Sequence, residues 1–180
     1  MADVILKSGE TPDRPHGRTG RLIAEPLSVD DRPEITFVEL LFFAYRDFIS
    51  DPDTVLAAYG FGRAHHRVVH FVNRHPGIRV ADLLDILKIT KQSLARVLKQ
   101  LLDQGFVEQR AGKRDRRQRL LYATPEGAQL ARALAAIQAK RIEHAVAGLD
   151  ASERKAAAQF LSRLINDTER NHVLKIVRRS

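Results

Sequence analysis

Cysteine is absent from all 180 residues, which removes disulfides, thiolate metal sites and cysteine-based redox sensing from consideration. No apolar run approaches the roughly 18 to 20 residues needed to span a bilayer. The opening MADVILKSGETPDR also lacks the basic start and long apolar middle of a signal peptide. A cytoplasmic protein with no membrane partner is therefore expected. Catalytic signatures are missing as well: there is no G-x-x-x-x-G-K-[ST] or G-x-G-x-x-G loop, no G-x-S-x-G elbow and no H-E-x-x-H. Its serines and histidines suggest no pairing of nucleophile and base, so neither an enzyme nor a cofactor is expected.

What is present is positive charge, and it is focused. The chain is 44% apolar and 29% charged, with a net charge of +8, enough for one globular domain or two small lobes sharing a core. Residues 1–87 carry 10 basic and 13 acidic side chains, a net of −3, whereas residues 88–119 carry 10 and 3, a net of +7. The densest stretch is RAGKRDRRQR, residues 110–119, with six basic residues and one acidic. A field so confined points to a polyanionic partner, nucleic acid before an anionic membrane surface.

Residues 1–30, rich in Gly, Pro and Arg and without an apolar period, read as a flexible N-terminal tail. Asp31 can cap a helix through ITFVELLFFAYRDFIS that Asp51-Pro52 stops. That helix is apolar nearly all round and needs cover that this chain alone is not expected to supply, so a second copy is implied. A short piece, TVLAAY, precedes a helix from Arg63 to Arg74, and Val80 to Leu87 forms another. Thr90 is placed to cap a helix from Lys91 to Gln104 with Gly105 as its left-handed stop. Leu94, Val97, Leu98, Leu101 and Leu102 share one face of it, while Gln92, Arg96, Lys99 and Asp103 share the other. Residues 106–110 and 119–123 read as strands of a hairpin whose tip is the basic run. Thr124, Pro125 and Glu126 open a helix reaching Gly148, and a last helix starts at Asp150 with Glu153 at capping-box spacing.

Helix, turn, helix and basic hairpin together make a mainly α chain with a small β-hairpin wing: a winged helix-turn-helix lobe plus a helical dimerisation region. The boundaries are 31–59 for the N-terminal helices, 60–123 for the lobe and 124–180 for the C-terminal helices. In this geometry the second helix lies in the major groove of DNA and the hairpin reaches neighbouring phosphates or the minor groove. Thr90 and Lys91 sit at a helix N-terminus suited to a phosphate. Gln92, Ser93 and Arg96 are types that read base edges, and Lys99 suits a phosphate. Lys113, Arg114 and Arg116 are expected at phosphates. A non-specific architectural DNA binder, or a winged-helix module meeting an acidic protein, would share these features.

The order ITKQSLARVLKQLLDQGFVEQR followed by KRDRRQRLLYATPEG resembles the MarR family of bacterial transcription regulators over roughly residues 33–170. The most specific elements are LDQGFV at 102–107, Asp-x-Arg as Asp115-Arg116-Arg117, and Thr-x-x-Gly as Thr124 to Gly127. Ala123 departs from the Leu more usual there. The wording TKQSL and the long N-terminal extension are similar to a PetP-like subset. The resemblance implies a homodimer, joined through the dimerisation helices of 31–59 and 124–180, that binds a pseudo-palindromic site in double-stranded DNA in response to a small-molecule effector. It also implies that Arg117 enters the minor groove while Asp115 orients an arginine side chain. Asp115 otherwise favours the turn.

His66 and His70, four apart on one predicted helix, have the spacing of two metal ligands, but no Cys or carboxylate nearby in sequence completes a set, and no metal is assigned. The resemblance sets this helix and the first beside an effector cavity, making Phe42, Arg46, His66 and His70 candidate pocket residues.

Overall fold

The computed structural model describes residues 28, 30, 32–112, 115 and 117–178. The expected tail (apart from residues 28 and 30), the Asp31 cap, Lys113, Arg114 and Arg116 lie outside the described residues. Two compact units divide the chain, Met1–Leu40 and Leu41–Ser180. In the first, the described residues include the start of helix α1 (Glu34–Ser50), whose Phe37 and Leu40 are exposed.

The second unit continues α1 and then runs through α2 (Asp53–Ala57), α3 (Arg63–Arg74), β1 (Ile78–Arg79), α4 (Val80–Leu87), α5 (Lys91–Asp103), β2 (Val107–Ala111), β3 (Arg119–Ala123), α6 (Pro125–Val146), α7 (Ala151–Arg163) and α8 (Asp167–Arg178). The hairpin forms as expected, with Val107 opposite Ala123 and Ala111 opposite Arg119. A third strand, β1, pairs antiparallel with β3 through Ile78 and Leu121, giving the order β1-β3-β2. At two residues it is too short to leave an alternating pattern.

Leucine spacing explains the core. Leu83 and Leu87 of α4, Leu94, Val97, Leu98 and Leu101 of α5, Val68, Val69 and Val72 of α3, and Leu130 and Leu134 of α6 are all buried around Leu121 of the central strand. Gly105 takes φ +74° just beyond α5, the left-handed stop that its position predicts. The polar side of α5 faces solvent, and this presents the candidate site.

The C-terminal region departs from expectation. In place of one last helix, α7 ends at Arg163 and α8 begins at Asp167. Arg170 explains the break, because its guanidinium donates to the carbonyls of Ser162, Arg163 and Ile165 and pairs with Asp167. It thereby satisfies α7 carbonyls that a helix end leaves open. Asp167 and Glu169 in the first turn of α8 favour a new helix start through the helix dipole. The capping box of Asp150 and Glu153 at the head of α7 is present as the sequence predicts.

Candidate nucleic-acid interface

The turn between α4 and α5 is closed by Lys88, which adopts φ 50° at the end of α4. Ile89 and Thr90 follow, and Thr90 Oγ1 accepts the Ser93 N–H at 3.1 Å, capping α5. Beyond that cap, Lys91, Gln92, Arg96, Lys99 and Asp103 are exposed and Ser93 is half-buried. Lys99 is held by Asp103 one turn on. Among the described residues no acidic side chain pairs with Lys91 or Arg96. The structure therefore places Thr90, Lys91, Gln92, Ser93, Arg96 and Lys99 on one helix, with its N-terminal amides and positive dipole end at the same surface.

The tip of the wing is shaped by Asp115. Asp115 Oδ1 accepts the backbone N–H of Arg117 at 2.9 Å, and the Asp115 carbonyl accepts the Gln118 N–H at 3.1 Å. The Gly112 N–H donates to the Gln118 carbonyl at 3.0 Å and closes the tip. The bond from Arg117 to Asp115 runs through the main chain, a contact that supports the turn. Arg117 itself is exposed. Arg110, which sequence reasoning counted only as part of the basic run, stacks its guanidinium 4.7 Å from the Tyr122 ring centre and pairs with Glu108. Part of the wing's positive charge is thus used inside the hairpin.

The four candidate effector residues lie on α1 and α3 at different depths. Phe42 is 67% exposed. Arg46 is exposed, pairs with the adjacent Asp47 at 2.8 Å and lies 5.0 Å from the Phe43 ring centre. A cavity of about 330 Å³ is lined by residues that include His75, Ile78, Arg79, Ile86, His172 and Ile176. His66 and His70 are half-buried, and burial is the main force holding both imidazoles below the ordinary value of 6.5. His70 also lowers His66, while Arg74 and His75 also lower His70.

Those shifts have a sign. Between the lowered folded value and the unfolded value near 6.5, the unfolded chain binds more protons, so stability rises with pH across that window. The urea midpoint is expected to fall as pH is taken from 7.5 to 5, and His66→Gln with His70→Gln to flatten the slope. An unchanged slope in the double variant would assign the acid sensitivity elsewhere.

A helix-turn-helix with a capped, basic second helix, followed at once by a basic hairpin, defines a winged-helix DNA-binding protein. A family model described as the MarR family matches residues 59–118. The HTH-type transcriptional regulator PetP of Rhodobacter capsulatus is 44% identical over 135 residues, covering 75% of this chain and 81% of that protein. The chain belongs to the MarR family of transcription regulators, and it is not an enzyme. Its fold is shared by FabT of Streptococcus pneumoniae, solved in complex with DNA, with a TM-score of 0.65 at 17% identity over 75% of this chain and 96% of that one. It is also shared by a Listeria monocytogenes regulator complexed with 26mer DNA, with a TM-score of 0.64 at 19% identity over 77% and 92%. Among the described residues no helix is long and apolar enough to cross a membrane.

Proposed function

We propose that this regulator acts in the cytoplasm as a homodimer that reads a pseudo-palindromic operator in double-stranded DNA and responds to a small-molecule effector. The observation that carries the reading is α5: a Thr90-capped helix, packed through leucines on one side, that exposes Lys91, Gln92, Arg96 and Lys99 on the other. In the major groove its first turn meets a phosphate through Lys91 and the free amides, Gln92, Ser93 and Arg96 reach base edges, and Lys99 meets a phosphate. Lys113, Arg114 and Arg116 contact phosphates from the wing, Asp115 shapes its tip and Arg117 enters the minor groove.

Dimerisation is supported by large apolar side chains on α1 and α7 that stand in solvent, among them Phe42 and Leu161 at 67% and 58% exposed. Residues 60–123 act as the reading lobe, with 31–59 and 124–180 joining two copies. The DNA complexes solved for FabT and for the Listeria regulator support the partner. Two reading helices fit successive major grooves only when about one DNA turn apart, roughly 34 Å. An effector that prefers a dimer of different spacing, held near Phe42, Arg46, His66 and His70, lowers operator affinity by its differential affinity for the two states.

Sites selected from a random duplex pool and competed against unrelated DNA test the reading. A specificity ratio of about 10³ or more is expected of an operator-reading protein. A lower ratio identifies an architectural binder instead.

A further inference from the structure

His65 is the one polar side chain among the described residues that is buried, at 8% exposed, and both of its ring nitrogens are in use. The Gly62 N–H donates to Nδ1 at 3.1 Å, so Nδ1 is unprotonated and Nε2 carries the hydrogen. That Nε2–H donates to Gln100 Oε1 at 2.6 Å, a bond across 35 positions of sequence. The ring cannot swing away easily, because it stacks on Phe61 with centroids 4.7 Å apart and planes 8° apart, and Phe61 meets Phe106 edge-on at 5.2 Å.

The consequence lies in what else holds α5. Leu94, Val97, Leu98 and Leu101 anchor it by apolar burial, a contact that faces the core, and the bond to His65 adds a directional tie on the flank of the helix. Gln92 and Arg96 lie on the outer face of the helix and Gln100 on its flank, and all three turn with the same backbone. A bond that pins Gln100 therefore pins the direction in which Gln92 and Arg96 point. On a helix about 5 to 6 Å in radius, a rotation of roughly 10° moves a side-chain tip by about 1 Å, enough to spoil a bidentate contact to a base.

We propose that His65 and Gln100 are positioning residues for base readout: the buried imidazole sets the azimuth of α5 through Gln100 and touches no DNA itself. The inference rests on the assignment of α5 to the major groove.

The test compares the ratio of affinities for a selected operator and for unrelated DNA, beside the thermal midpoint. Gln100→Met, which removes the acceptor at similar length, is expected to lower the ratio roughly 3- to 10-fold, the scale of one net hydrogen bond, with Tm lowered because the buried His65 Nε2–H loses its partner and with unrelated-DNA affinity unchanged. Gln100→Glu keeps the acceptor oxygen; it should retain the ratio while its added charge weakens both duplexes alike. His65→Leu should match Gln100→Met, and the double variant should lose no more than either single one. If His65→Leu unfolds, the contrast between Gln100→Met and Gln100→Glu decides alone. An unchanged ratio for Gln100→Met, or additive losses in the double variant, overturns the positioning role. Arg96→Ala separates the two failures: if it too leaves the ratio unchanged, the major-groove assignment falls and the inference with it.

Discussion

Gly127→Ala is expected to cost about 3 to 5 kcal/mol of folding stability, at the upper end of what single substitutions do. Gly127 is buried in the first turn of α6. A Cβ built there overlaps the Phe106 carbonyl oxygen and lies 2.9 Å from the Phe106 carbonyl carbon. The obstacle is main chain rather than the end of a flexible side chain, so relief requires α6 to back away from the end of α5. Three bonds oppose that movement. The Thr124 hydroxyl donates to the Gly105 carbonyl at 2.6 Å and accepts the Gly127 N–H at 3.1 Å, and the Thr124 N–H donates to the Phe106 carbonyl at 3.2 Å. The Thr-x-x-Gly signature is thus a clip between two backbones: the threonine ties α6 to the turn after α5, and the glycine makes room for the tie. Urea unfolding measures the loss. Gly148→Ala, at a site with nothing within 4 Å of a new Cβ, serves as the control and should change stability by less than about 1 kcal/mol. A Gly127→Ala protein with the parent's midpoint would show that the clip yields without cost.

The same clip indicates why parts of the fold were legible in the sequence. Features fixed by local chemistry could be read: the Thr90 cap, the Asp150 capping box, the Gly105 stop and the leucine stripe of α5 each act within a few residues. Features fixed by partners far along the chain could not. Strand β1 exists because Leu121 offers it a ladder, and the two residues concerned carry no period of their own. The break between α7 and α8 was half legible, since Asp167 and Glu169 mark a start, but the helix-favouring run from Asp150 masked it. Within the site, spacing identified the exposed face of α5 because a helix with one apolar stripe must present its other side to solvent. It missed His65 with Gln100, because a hydrogen bond across 35 positions leaves no trace in periodicity. Asp115 had two physical readings from sequence, and its bond to the Arg117 main chain is the part of the turn reading that local spacing made legible.

Substituting Arg96 and Arg117 should separate choice from grip. Arg96→Ala is expected to cost about 1 to 3 kcal/mol at particular base pairs of the operator, roughly 5- to 150-fold at 1.4 kcal/mol per factor of ten, with little change on unrelated DNA. Its guanidinium is exposed on α5 with no acidic partner among the described residues, so its donors are available to a base edge without first breaking an ion pair. Arg117→Ala should instead weaken binding to operator and unrelated duplexes alike and reduce the slope of log affinity against log salt by about one. Arg117 is held at the wing tip by its backbone N–H to Asp115, which fixes where its side chain starts and leaves the guanidinium in solvent. Asp115→Ala, which removes that hold and one negative charge, therefore opposes two effects: a looser tip against a stronger local field. At high salt, where the field is screened, the loss of tip geometry should dominate and affinity should fall below that of the parent. Affinity measured for all three variants over a range of salt, on one selected operator and its single-base variants, decides the division. A uniform loss across sequences for Arg96→Ala would place its side chain on the phosphates and move base choice to Gln92 and Ser93.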